Sequence, residues 1–202
     1  MSLKPFQHLQ AVAVPIPQSN VDTDQIVPAR YLQKPRSDDF GKYLFHDLRF
    51  RSDGSEAPDF VLNRAAYREG RIIVAQRNFG CGSSREHAVW ALYDYGFRAV
   101  IAPSFGDIFL SNALKNGLLP VALSEAAVAT ALEAIEAAPG IRISVDLLSQ
   151  TVVASDGTSH RFDINPFAKH CLLKGLDELD YTLGLTDQIE EFERRLDQES
   201  TR

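Results

Sequence analysis

Arg71-Ile72-Ile73-Val74-Ala75-Gln76-Arg77-Asn78-Phe79-Gly80-Cys81-Gly82-Ser83-Ser84-Arg85-Glu86-His87-Ala88, continued to Gly96 and on to Ala99-Val100-Ile101-Ala102, is the stretch that decides the fold. Residues 71–75 form a short apolar run of strand type, and Ala88, Ala91, Leu92 and Tyr95 then recur at helical spacing. The spacing predicts a helix over about 84–95, closed by Gly96 as a C-terminal stop. A second apolar run, 99–102, completes a right-handed strand–helix–strand unit, which implies a parallel pair.

The pattern repeats downstream. Pro103-Ser104-Phe105-Gly106 opens a helix to about Asn116, with Ile108, Phe109 and Ala113 on one side and Gly117 ending it. Leu118 to Leu123 reads as a third strand, and Ser124 caps an alanine-rich helix stopped by Pro139-Gly140. Beyond it, 141–145, 151–154 and 159–162 read as strands of an antiparallel sheet, with Asp156-Gly157 as a hairpin turn. Asn165-Pro166 starts a helical tail over about 167–202, charged toward its end.

Upstream, Ala11-Val12-Ala13-Val14 is extended and reads as broken by Pro15 and Pro17, ahead of Asn20-Val21-Asp22-Thr23-Asp24. Residues 34–60 read as loop with short helical turns, a candidate flap.

Composition narrows the function. With 202 residues and 45% apolar content the chain can bury a real core. A net charge of −6 and the lack of a basic face argue against nucleic acid as a partner, because phosphate neutralisation needs clustered cations. Two cysteines, no N-terminal basic-plus-apolar signal and no apolar stretch near the ~20 residues of a membrane helix suit a reducing cytoplasm and no membrane partner. The histidines His8, His46, His160 and His170 show no metal spacing.

Residues 79–88 place two glycines, a thiol, two hydroxyls, a guanidinium, a carboxylate and an imidazole on a strand-to-helix turn. Unpaired amides at a helix start favour an anion there. Ser83 and Glu86 have the spacing of a capping box. That reading leaves Gly80 and Gly82 unexplained, and it leaves Arg85 in a first turn where a cation is disfavoured unless an anion faces it. The dinucleotide fingerprint fails at its third glycine, the phosphate loop lacks Gly-Lys-Ser/Thr, and the nucleophile elbow lacks its last glycine. Cys81 with His87 as a nucleophile and base is a rival, weakened because His87 lies a turn into the helix.

The stretch Asn78 to Ala88 resembles the signature of the swivelling domain of aconitase-type hydro-lyases. Further agreement lies in Asn20 to Pro28, Phe40-Gly41, Pro58 to Asn63, Ala102 to Phe109, Asn116 to Val121 and His170-Cys171. These resemble the free-standing bacterial form, the small subunits of 3-isopropylmalate dehydratases, over nearly the whole chain. The resemblance implies an α/β swivelling domain spanning 1–202, with a parallel central sheet, a smaller antiparallel sheet and flanking helices.

It also implies a large-subunit partner carrying a [4Fe-4S] cluster. Together the two interconvert 2-isopropylmalate and 3-isopropylmalate through 2-isopropylmaleate in leucine biosynthesis. A cluster with one open iron needs three cysteine ligands, so a chain with two is not expected to hold it or another metal. By resemblance Ser83 is the catalytic base, with Arg85 beside it, while Ser84, Asp24 and Thr23 bind a small dicarboxylic hydroxy acid. Asp24 alone reads equally as an Asx-turn or helix cap. The loop from Tyr31 to Arg36 is associated with specificity, where Leu32 suits an isopropyl group and Arg36 a further carboxylate. Citraconate/methylmalate or homoaconitate chemistry, or a non-catalytic binding module, stand as alternatives.

Overall fold

The computed structural model describes residues 3–36 and 39–200. Ser37 and Asp38, inside the expected loop, and the two residues at each end of the expected 1–202 domain lie outside the described residues. The strands are β1 (His8–Ile16), β2 (Ile72–Ala75), β3 (Ala99–Ala102), β4 (Leu119–Ala122), β5 (Arg142–Asp146), β6 (Thr151–Val153) and β7 (Ser159–Arg161). They form one mixed sheet in the order β4-β3-β2-β1-β5-β6-β7. The parallel part (β1 to β4) and the antiparallel part (β1 and β5 to β7) meet on β1, which pairs with β5 through His8–Val12 and with β2 through Ala13–Ile16.

That change of neighbour explains a correction: β1 is not broken at Pro15 but runs through it to Ile16. The Ala13 amide bonds to Ile141 on the β5 side. Two residues on, Pro15 turns its nitrogen to the same side, past the end of the β5 pairing, where no amide hydrogen is needed. Pro120 is tolerated because β4 is an edge strand.

The helices are α1 (Thr23–Ile26), α2 (His46–Arg49), α3 (His87–Tyr95), α4 (Asp107–Lys115), α5 (Glu125–Ala137), α6 (Pro166–Lys174), α7 (Glu178–Leu183) and α8 (Thr186–Ser200). Ser124 caps α5 by accepting from the Ala127 amide, and Asn165 caps α6 from the Phe167 and Ala168 amides. On α4, Phe109 and Ala113 are buried as the spacing requires, but Ile108 is 51% exposed. One residue from Phe109 is about 100° around a helix, which carries Ile108 out of the core.

The segment read as a flap is largely anchored. Phe40, Leu44 and Phe45 are fully buried, and the Phe45 amide bonds to the Ile26 carbonyl at 2.7 Å. The core lies on both faces of β2 and β3, whose residues are all buried. Every chain exit after a parallel strand is thus forced to the strand ends, and there the candidate site forms.

Candidate active site

Residues 78–82 extend the parallel ladder past the C-terminal end of β2 without being strand. The Gly80 amide bonds to Val21 at 2.7 Å, the Thr23 amide to Cys81 at 2.9 Å, the Phe79 amide to Ser104 at 3.1 Å and the Gly106 amide to Phe79 at 3.0 Å. The motif is therefore clamped between the segment before α1 and the segment before α4. Gly80 and Gly82 both have positive φ, +74° and +100°. At Gly80 glycine is also required sterically, since a Cβ would sit 2.1 Å from Cγ of Phe109.

The clamp turns Ser83 toward Thr23. Thr23 is 1% exposed, and its Oγ1 lies 3.0 Å from Ser83 Oγ and accepts from the Ser83 amide at 3.2 Å. Thr23 thus faces Ser83 rather than solvent, a position different from the substrate contact expected of it. Ser83 itself is half-buried and lines an open cleft of about 190 Å³ with Gly80 to Gly82 and Gly106 to Phe109. Ser84 is exposed, and its carbonyl accepts from Asn112 Nδ2 at 3.3 Å. Arg85 forms an ion pair with Asp24, whose carboxylate is about half exposed.

The capping box is overturned. The helix begins at His87, three residues later than the spacing suggests, and its N-cap residue Glu86 makes no side-chain cap bond. Glu86 instead accepts from Asn116 Nδ2 at 2.6 Å, a partner thirty residues away. The cap in this region is Asp22, which accepts from the Gln25 amide at 2.7 Å, so the neighbouring Asp24 is free to meet Arg85. The Cys81 nucleophile also fails on electrostatics: burial and then the Asp22 charge push its thiol pKa up, the opposite of activation. His87 packs on Trp90 and Phe40, with ring centroids 4.5 and 5.9 Å away.

Residues 3–126 match the family model of the aconitase C-terminal domain, and residues 130–166 match that of LeuD_N. The small subunit of 3-isopropylmalate dehydratase from Paramagnetospirillum magneticum is 48% identical over 191 residues, 95% of each chain. That from Roseobacter denitrificans is 49% identical over 189 residues, 94% of each. The chain belongs to the family of 3-isopropylmalate dehydratase small subunits. The crystal structure of a 3-isopropylmalate dehydratase from Methanocaldococcus jannaschii superposes with a TM-score of 0.67 at 26% identity, covering 92% of this chain and 99% of that one.

In this small subunit the loop from Tyr31 to Arg36 is tied down at both ends. Tyr31 stacks on Tyr43 at 4.3 Å, and Leu32 is half-buried between the anchors. The Arg36 guanidinium donates to Asp94 at 3.1 and 3.3 Å and to Asn116 Oδ1 at 3.3 Å, and lies over the Trp90 ring. It is thereby engaged within the fold instead of projecting as a free carboxylate receptor. Asn116 is the residue that sequence reasoning undervalued. It reads as a helix end before glycine, yet it is 7% exposed and joins Arg36, Trp90 and Glu86 through one amide group. Only its polarity at a buried helix terminus hinted at this.

Cys81 and Cys171 sit on the motif loop and on α6, both as free thiols. Two thiols on separate elements do not make the three-cysteine ligand set of an open-iron cluster, and among the described residues no group of three His, Cys, Asp or Glu converges. The residues of this chain do not fit that cofactor. No helix among the described residues is long and apolar enough to cross a membrane.

Proposed function

We propose that this chain, one swivelling domain with a C-terminal helical tail, is the proton-transferring half of a cytoplasmic two-subunit hydro-lyase. The reaction interconverts 2-isopropylmalate and 3-isopropylmalate through 2-isopropylmaleate, a step of leucine biosynthesis. The large subunit would carry the [4Fe-4S] cluster and supply Lewis acidity toward the departing hydroxyl.

One observation carries the reading: a serine hydroxyl lines an open cleft at the end of the parallel strands, with a guanidinium two residues along the same loop. In this assignment Ser83, as alkoxide, takes the proton from the carbon next to a carboxylate and becomes a neutral hydroxyl. The electron pair of that C–H bond becomes the C=C bond of the maleate as hydroxide departs. Re-addition of water in the opposite sense completes the exchange. A free serine is far too weak an acid to be charged at neutral pH, so its neighbours must stabilise the oxyanion.

Arg85 suits the grip on a substrate carboxylate, because a guanidinium holds a carboxylate in two parallel bonds and fixes its plane. In the free subunit Asp24 occupies that guanidinium. Ser84, exposed beside it, adds a hydroxyl for the reacting end. Leu32 supplies apolar contact for the isopropyl group, and Arg36, strapped to Asp94 and Asn116, holds the end of the loop that presents Leu32.

The cleft also suits a split site: it is open to solvent, so a second surface would close it over the acid. The test is reconstitution with the large subunit of the same organism, following the unsaturated acid by its ultraviolet absorbance. Turnover is expected only from the mixture; turnover by this chain alone overturns the reading.

A further inference from the structure

Thr23 and Ser83 are sixty residues apart, yet two hydrogen bonds join them. A threonine hydroxyl has one proton and two lone pairs. The Ser83 amide is only a donor, so its 3.2 Å contact uses a lone pair of Thr23 Oγ1 and leaves the hydroxyl proton available. The other contact of Oγ1 is Ser83 Oγ at 3.0 Å. With Thr23 1% exposed, water does not compete for that proton.

We infer that Thr23 donates its hydroxyl proton to Ser83 Oγ and is the positioning residue that holds this oxygen as an acceptor. The inference rests on the reading of Ser83 as the base. Once Ser83 is an oxyanion it can only accept, so the bond has a single direction and strengthens with the charge. While Ser83 is neutral, the same bond leaves its own proton pointing away from Thr23. The amide contact fixes the Ser83 backbone and the hydroxyl contact its side chain, so one buried group sets both.

Placement at the start of α1 makes this possible. The Thr23 amide is held by the Cys81 carbonyl at 2.9 Å, and Asp22 caps the turn, so the hydroxyl is not needed as a cap. It projects across to the motif instead.

The experiment compares T23V, which keeps the shape and removes the hydroxyl, with T23S, which keeps the hydroxyl, each in the complex with the large subunit. Loss of a donor to the oxyanion raises the pKa of the base, so the acid limb of kcat/KM moves to higher pH. A shift of about one unit lowers the rate tenfold at pH values below the limb. T23V is expected to show a shift and loss of at least about that size, and T23S to restore the profile to within about threefold.

A T23V complex with the unaltered pH profile, or T23S as impaired as T23V with assembly intact, overturns the inference. Should T23V not assemble, T23C carries the test, its weak thiol donor giving an intermediate shift. S83A separates the two levels. If S83A retains activity, the base assignment falls; if S83A is inactive while Thr23 variants leave the profile unmoved, only the role of Thr23 falls.

Discussion

The parallel and antiparallel parts of the sheet are built from the same chain but bury their strands differently. Ile72–Ala75 and Ala99–Ala102 are buried at every residue, whereas β5 alternates buried residues with exposed or half-buried ones and β7 has no buried residue. A parallel pair needs a crossover helix, and helices covering the faces send the chain out at the strand ends. The antiparallel part returns through tight connections such as Asp156-Gly157, which put five residues between β6 and β7. The difference teaches where chemistry can gather: the long exit after β2 holds a serine pair, an arginine and two positive-φ glycines, clamped by the segments that lead into α1 and α4.

The sharpest way to break that comparison is S83A. Activity of the complex is expected to fall by a factor of a thousand or more, as befits loss of a catalytic base. Thermal or urea unfolding should change by only about 1 kcal/mol, the net value of one hydrogen bond. Loss of stability without loss of turnover would return the motif to a structural role.

Gly80→Ala and Gly157→Ala test the same contrast through the backbone. Both positions have positive φ, +74° and +84°, but a Cβ at Gly80 meets Phe109 at 2.1 Å while nothing lies within 4 Å at Gly157. Gly157→Ala should cost about 1–2 kcal/mol from backbone conformation alone, with activity kept. Gly80→Ala adds overpacking of about 1–3 kcal/mol more and should displace Ser83, lowering turnover as well. Equal costs in urea unfolding would show that the clamp on the motif is loose.

R85K sharpens the site end. A lysine keeps the charge but loses the fork, so KM for the acid is expected to rise about tenfold or more, with the complex intact. Wild-type KM would mean that Arg85 does not grip a carboxylate. In the other direction, S124A removes the α5 cap and is expected to cost about 1 kcal/mol with no change in kcat/KM.

The smallest effect concerns pH. Because burial and the Asp22 charge hold the Cys81 thiol above the usual range, its thiolate is scarce at neutral pH. Alkylation of Cys81 by iodoacetamide should be slower than that of a free thiol at pH 7 and should still be rising beyond pH 9. Rapid modification at pH 7 would revive the cysteine as a nucleophile.

Much of the fold was legible because it rests on local pattern. Apolar runs of four bounded by glycine or proline gave β2 and β3, while Ser124 and Asn165 announced α5 and α6 as caps. Local pattern failed at Pro15, where a change of strand neighbour removes the usual penalty, and at Ser83 and Glu86. There a correct capping-box spacing lost to partners sixty and thirty residues away.

What the sequence alone determined was the inventory: a strand, a glycine-bearing turn with one serine pair and one arginine, a helix, and a family likeness over nearly the whole chain. Spacing determines such things because period and turn chemistry are properties of neighbours along the chain. Only the tertiary structure decided that Thr23 faces Ser83, that Asp24 rather than Asp22 meets Arg85, and that Arg36 is held by Asp94 and Asn116. Those pairings depend on which strand ends lie side by side, and hydrogen bonds between distant segments leave no period in the sequence to be read.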